Sequence, residues 1–362
     1  MQKNRTNALQ RLVGAMLAAA CFSTPVYAEQ DVLERNAPIW KDNRFQGLVV
    51  TALGKQGEKT VAVGERGLIL ISESAGAGWR QVKSPVTVTL TGVSFSDAET
   101  VWIVGHGGVL LKSTDGGVNW GKQLDGKKIA ALVLEAASQP GADPRFLDEA
   151  NRLVADGPDK PLLGVQFFDK NSGLIVGAYG LILGTRDGGA TWTPLQQRTE
   201  NTKGAHLYAV LKSAAEIWIA GEQGSLFVSN DAGEKFKSVN SPYQGTYFGI
   251  AEAGNNLVAF GMRGNAFYSS DRGISWNKSS IATSNSLTAG YTRKNGELVL
   301  VDDGGNVFES SDGGISFLRA PVKKMPPLTS VIEVSDGQLL FGGARGIANS
   351  GKQEQLSSEI KK

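Results

Sequence analysis

The run IVGHGGVLLKSTDGGVNW (103–120) decides the fold, because most of its pattern returns along the chain. Asp115 in this run has counterparts at Asp187 in TRDGGATW, Asp231 in SNDAGEKF, Asp271 in SSDRGISW and Asp312 in SSDGGISF. An active site is built once, so a carboxylate that recurs at near-constant spacing serves a repeated structural unit rather than a reaction. Aligned on the glycine ahead of each turn, seven related runs emerge. They are VAVGERGLILISE (61–73), WIVGHGGVLLKST (102–114), LIVGAYGLILGTR (174–186), WIAGEQGSLFVSN (218–230), VAFGMRGNAFYSS (258–270), LVLVDDGGNVFESS (298–311) and LLFGGARGIANS (339–350). Gly64, Gly105, Gly177, Gly221 and Gly261 are 41, 72, 44 and 40 residues apart, so one interval is long and the rest are regular.

Each unit contains short β-branched or aromatic segments bounded by turn residues, which read as four strands. In the second unit these are GVSFSD, VWIVG, VLLKS and NWGKQ. Four strands at a period near forty, repeated seven times, predict an all-β chain, a seven-bladed β-propeller of four-stranded blades. The end units lack polar caps, which disfavours a linear solenoid. The seventh unit stops after GIANSG without an outer strand, whereas APIWKDN (37–43) precedes the first and places Trp40 at an outer-strand position. The expectation is that this N-terminal strand completes the last blade and closes the ring.

In S-x-D-x-G-x-x-W the turn joins the third and fourth strands of a blade. The Asp carboxylate accepts backbone N–H groups inside the turn, Gly takes the left-handed conformation, and Trp120, Trp192 or Trp276 packs between blades. This is the Asp-box, or BNR, motif, and it makes Asp115, Asp187, Asp231, Asp271 and Asp312 structural residues. The first unit keeps its Trp but has Ser74 in place of the aspartate, in SESAGAGW.

Composition narrows the function. One Cys and two His exclude a disulfide framework and a His/Cys metal site, and no metal or cofactor is implied. Residues 1–28 read as a secretory signal. Lys3, Arg5 and Arg11 precede the apolar run 12–20, and VYA ahead of Glu29 marks cleavage after Ala28. Without it the chain carries 34 cations and 35 acids, so its basic character leaves with the leader and nucleic-acid binding is unsupported. A competing cut in LAAAC would leave Cys21 as an acylated first residue. The expected address is the periplasm, with lipid anchoring through Cys21 as the alternative. The propeller is assigned to 29–351 and a polar tail to 352–362, with no membrane span after signal removal and a monomeric state expected.

The long interval holds an insertion, roughly 125–160. Ile129, Leu132, Val133 and Ala136 form one helical stripe. Asp143 and Pro144 start a second helix with Phe146, Leu147, Ala150, Leu153 and Val154 on one face. This hairpin, between blades two and three, leaves the ring on the side of the turns joining strands two and three, opposite the aspartate turns. It is either a lid or a docking element. Those turns present Arg66, His106, Tyr179, Gln223, Arg263, Asp303 and Arg345, each ahead of a glycine. The three arginines suit a carboxylate, a phosphate or an acidic peptide end, with Lys323 and Lys324 nearby. Ordinary solvated turns are the competing reading.

With these motifs in view, residues 29–351 resemble the photosystem II stability and assembly factor-like propellers, on the combined VGxxGxLLxSxDGGxxW unit quoted above. The resemblance implies seven blades and a thylakoid-lumenal or periplasmic address. It also implies a non-enzymatic scaffold or assembly accessory whose arginine-bearing face holds a membrane protein complex or its exported segment. Arg66, Arg263 and Arg345, with His106 and Tyr179, are the positions offered for that face. Relatives in bacteria without photosystems look like companions of membrane complexes such as exporters, and the plain bacterial signal leans towards such a host. The rival class is a glycoside hydrolase of sialidase type, using the three arginines with Tyr179 and Glu222. Against it stand the blade count, the missing Arg-Ile-Pro-type segment, and carboxylates in short turns with nothing to raise their pKa.

Overall fold

The computed structural model describes residues 31–40, 47–335 and 337–350. The leader with its cleavage point, Cys21, half of the 37–43 segment and the 352–362 tail lie outside the described residues.

The chain is a seven-bladed β-propeller. Each blade runs in simple order from an inner to an outer antiparallel strand, and blade six gains a fifth, Ser280–Ile281, parallel to its strand Ser316–Arg319. The inner strands begin at Val50, Leu90, Leu162, Leu207, Tyr247, Leu287 and Leu328, and each neighbours the next around the axis. The second strands, such as Val101–Gly105 and Gly173–Gly177, are buried along their whole length. That is why they read as unbroken apolar runs rather than alternating ones: both faces of a blade are covered by its neighbours. Seven apolar clusters result, one at each blade-to-blade interface.

The turns between strands three and four show how the repeat is held. Ser113 Oγ donates to Asp115 Oδ1 (2.8 Å) and accepts from Gly117 N (2.9 Å), while the same carboxylate oxygen accepts from Val118 N and Asn119 N. The arrangement recurs at Thr185 and Asp187, Ser229 and Asp231, Ser269 and Asp271, and Ser310 and Asp312. Backbone and side-chain N–H donors from Asn119 hold the Asp115 carboxyl down at about 2. The Thr191 hydroxyl and N–H do the same for Asp187, also at about 2. In blade one, Ser72 and the Ser74–Ala77 bridge make the turn without an aspartate.

These turns reach backwards. Gly117 and Trp120 of blade two lie on Val61 and Ile71 of blade one. Gly189 lies on the Trp102 ring of blade two, which Trp192 meets edge-on at 5.9 Å. Gly273 lies on the Trp218 ring of blade four, which Trp276 meets at 6.3 Å.

The described part of the expected closing strand, residues 37–40, does not lie on the last blade. The last blade has three strands among the described residues, Leu328–Ser335, Gln338–Gly343 and Gly346–Asn349. Residues 32–40 run beside blade one instead: Thr87 N donates to Val32 O, Ala37 N to Ser84 O and Trp40 N to the Gln81 side chain. Trp40 still packs into the interface of blades seven and one, but its backbone is bonded to blade one. The ring closes through its inner strands, where Thr329 Oγ1 donates to Val50 O (2.5 Å) and Lys55 bonds the Glu333 carbonyl across the same seam. An apolar cluster like those at the other interfaces covers this seam.

The insertion is two helices, α1 (Gly126–Ala137) and α2 (Pro144–Asp156). Asp125 caps α1 by accepting from Lys127 N and Lys128 N, and Asp143 caps α2 through Arg145 N. Ile129, Val133 and Ala137 of α1 share one core with Trp102, Leu181 and Trp192 of blades two and three, so α1 is a packed buttress. In α2 only Phe146 and Ala150 are buried; Leu147 and Val154, expected on its apolar face, remain at the surface.

Two outcomes follow for stability. Depressed folded-state pKa values mean that Asp115 and Asp187 contribute stability above their unfolded pKa, and that this is lost as pH falls from about 4 through about 2. Asp115→Asn and Asp187→Asn should therefore flatten the dependence of unfolding free energy on pH in that window, measured by urea denaturation. Gly189→Ala should cost about 3 kcal/mol, because its φ of +79° is strained for any side chain and its Cβ would lie 2.2 Å from Trp102. Gly141→Ala, with φ +86° and open space, should cost about 1 kcal/mol in the same assay.

Candidate functional site

The inner strands enter the ring at the face that carries the turns between strands two and three, and the insertion leaves from that same face. Strand pairing fixes the register of the turns. Gly64, Gly105, Gly177, Gly221, Gly261, Asp302 and Gly343 are equivalent, each opposite the first residue of its inner strand. Two positions further on, Arg66, Tyr179, Gln223 and Arg263 all adopt left-handed backbone, with φ between 55° and 58°.

This register corrects the ring expected from sequence. In blade two that position is the left-handed Gly107, and His106 precedes it; in blade six it is Gly304, where the left-handed residue is instead the following Gly305, and Asp303 precedes Gly304. His106 and Asp303 are therefore equivalent to Glu65 and Glu222, not to Arg66. Aligning the repeats on sequence puts every residue ahead of a glycine in one class, but blades two and six carry two consecutive glycines, which hides the offset. Arg345 sits in a tighter turn, where Gly343 pairs directly with Gly346.

Arg66, His106, Tyr179, Gln223, Arg263 and Arg345 are all exposed, as are Lys323 and Lys324. No ion pair involves Arg66, Arg263 or Arg345 among the described residues. Tyr179 is 62% exposed, lies edge-on to His206 at 4.8 Å, and has Lys160 Nζ 4.9 Å from its ring centre. Lys160 pairs with Asp156 at the end of α2 and with Asp159, so the exit of the insertion is tied to the blade-three turn. The opposite end is fixed by Lys122, which pairs with Asp125 and Glu34 and donates to Leu33 O.

The carboxylates on this face are spent on architecture. Glu65 accepts from Val49 N, Glu222 from His206 N and Asp303 from Ser286 N, each tying a turn to the entry of its own inner strand. Asp302 is fully buried and accepts from Gly304 N, Asn306 N, Thr283 Oγ1 and Asn285 Nδ2. Each of these carboxylates gives at least one oxygen to a backbone N–H. Among the described residues no cluster of His, Cys, Asp or Glu could hold a metal.

One ring of residues escaped the sequence reading. Every inner strand carries an irregularity at one equivalent residue: Thr51, Thr91, Leu163, Tyr208, Phe248, Thr288 and Thr329. A bulge leaves its residue out of the ladder and re-aims it. Thr51 Oγ1 donates to Leu90 O, Thr91 Oγ1 to Leu162 O, Thr288 Oγ1 to Leu328 O and Thr329 Oγ1 to Val50 O, each bond crossing to the next blade. The signal was a repeated large-x-small triplet, as in Leu90-Thr91-Gly92 and Tyr247-Phe248-Gly249, masked by the ordinary look of a strand.

Seven blades, aspartate-anchored turns and a face of exposed left-handed residues define a β-propeller of the aspartate-turn class. Residues 48–141 and 150–325 match the family described as photosynthesis system II assembly factor YCF48, and the chain belongs to that family. The photosystem II assembly lipoprotein Ycf48 of Synechococcus sp. (strain CC9902) is 29% identical over 148 residues, 38% of this chain and 43% of that protein, so the match spans less than half of that relative. Among solved structures, YCF48 bound to a D1 peptide superposes with a TM-score of 0.60 at 17% identity, over 84% of this chain and 93% of that one. YCF48 from Cyanidioschyzon merolae gives 0.60 at 17%, over 87% and 97%. At these identities the structures speak for the shared fold.

The left-handed residues carry a measurable cost. Arg263→Gly should raise stability by about 0.5 kcal/mol, since φ of 58° is strained for Arg and free for Gly, partly offset by the looser unfolded chain. Equilibrium denaturation checks it.

Proposed function

We propose that this chain is a non-enzymatic assembly accessory that holds an exported segment of a membrane protein complex against the face carrying the insertion. The observation that carries this reading is the family match, which runs through the propeller from blade one into the loop after blade six. A relative of the same fold is bound to a D1 peptide, which makes a peptide segment the natural cargo to propose here. The geometry of the face supports the assignment. Arg66, Tyr179, Gln223 and Arg263 are kept in backbone that costs about 1 kcal/mol each, although glycine stands at the same position in blades two and six. Strained, exposed side chains that the fold does not require suit a binding role, with His106 and Arg345 completing the surface.

The proposed address is the periplasm, reached through the 1–28 leader with cleavage after Ala28; an acylated Cys21 is the second form. The partner in a non-photosynthetic host is a membrane complex such as an exporter. A sialidase-type hydrolase gains no support, because Glu222, the base it would need beside Tyr179, is bonded to His206 N.

The test is crosslinking in the native host with the leader intact, followed by identification of co-purifying proteins and of the mature N-terminus. The wild-type chain should recover one membrane complex, and a folded Arg66→Glu/Arg263→Glu/Arg345→Glu variant should lose it. Recovery of the same complex by both would remove the arginine face from the function, and recovery of none would remove the accessory role.

A further inference from the structure

The seven bulged residues divide the channel mouth into two chemical halves. Threonine occupies the bulge in blades six, seven, one and two, which are consecutive around the ring, and each hydroxyl is already given to the next blade. In blades three, four and five the same position holds Leu163, Tyr208 and Phe248, all half-buried. The rings of Tyr208 and Phe248 meet edge-on, 5.4 Å apart at 89°, across two adjacent blades. The Tyr208 hydroxyl has no hydrogen-bond partner among the described residues, and burial and the nearby Glu222 push its pKa up. Architecture does not demand this wall, because threonine satisfies the same bulge in four other blades. Contiguous apolar surface kept at a channel mouth is a mark of a binding surface.

Charge frames the same mouth. Arg66, Arg263 and Arg345 stand on the turns of blades one, five and seven without ion-pair partners among the described residues, while Glu65, Glu222 and Asp303 each spend an oxygen on backbone. Arg263, on the same blade as Phe248 and without an ion-pair partner among the described residues, fits with this wall a ligand that is apolar at one point and anionic at the next.

We propose that Leu163, Tyr208 and Phe248 form a subsite for one large apolar side chain of a bound peptide, aromatic or branched aliphatic, whose adjoining carboxylates are held by Arg263 on the blade-five turn and by Arg66 and Arg345 across the ring. This rests on the function proposed above and adds to it the chemistry of the segment held. The free Tyr208 hydroxyl supplies a hydrogen-bond donor for the peptide backbone at the edge of the subsite.

The experiment uses the purified full chain and short labelled peptides with an acidic end, identical except for Phe or Ser at one position near that end, read by fluorescence anisotropy. The Phe peptide should bind about tenfold more tightly, the effect of burying one aromatic side chain partly. The double variant Tyr208→Thr/Phe248→Thr, which installs the residue that the other blades use, should lose that preference while keeping weaker, salt-sensitive binding to both peptides. Phe248→Leu, which keeps an apolar side chain, should retain the preference and guards against a folding effect. An unchanged preference in the threonine variant overturns the proposal, as does equal binding or no binding of the two peptides by the wild-type chain. Concentration-dependent dimerisation abolished by Phe248→Thr would overturn it too, by assigning the wall to a second copy of the chain. If the preference is absent yet arginine-dependent crosslinking to a membrane complex persists, the subsite fails and the assembly reading stands.

Discussion

Every blade of this ring depends on a neighbour to cover it, and the aspartate turns are the means by which that cover is delivered. A four-stranded sheet with apolar residues on both faces cannot stand alone in water. Here the carboxylate and the Ser or Thr hydroxyl lock the turn, the turn fixes a glycine and an aromatic ring, and in blades two, three and five these are set down on the preceding blade. The apolar interfaces repeat around the circle, and the one between blades seven and one has the same character as the rest. Among the described residues, closure is carried by the inner strands and by this apolar interface.

The face opposite these turns is built by different rules. Short turns between strands two and three leave little room for polar chemistry, so the carboxylates present satisfy backbone N–H groups and the left-handed residues point outward. The insertion adds mass to this face as a packed element, since α1 shares a core with blades two and three and the ends of the insertion are tied by Lys122 and Lys160. The inner-strand bulges complete the face, because they bring side chains from seven separate strands to one opening.

Much of this architecture is legible in the repeat. The aspartate turns, the blade count, the helical insertion and the arginines Arg66, Arg263 and Arg345 follow from it directly, because local hydrogen bonding and alternation are written in neighbouring residues. The offset of His106 and Asp303 is not legible there: a double glycine looks the same in either register, and only pairing with the inner strand separates them. Nor is the path of residues 32–40, since a short apolar segment with Trp40 fits an outer edge on blade one as well as on blade seven.

The repeating unit, its number and the chemistry of its turns are set by residues a few positions apart, so the amino-acid sequence carries them unaided. Which side chains share the channel mouth is settled only when the blades assemble. Thr51, Leu163, Tyr208 and Phe248 are separated by 112, 45 and 40 positions, and beyond a large-x-small triplet that any strand could carry they are united only by a common break in ladder register. A bulge is defined by what lies opposite it on the partner strand, and that pairing exists only once the blades have formed.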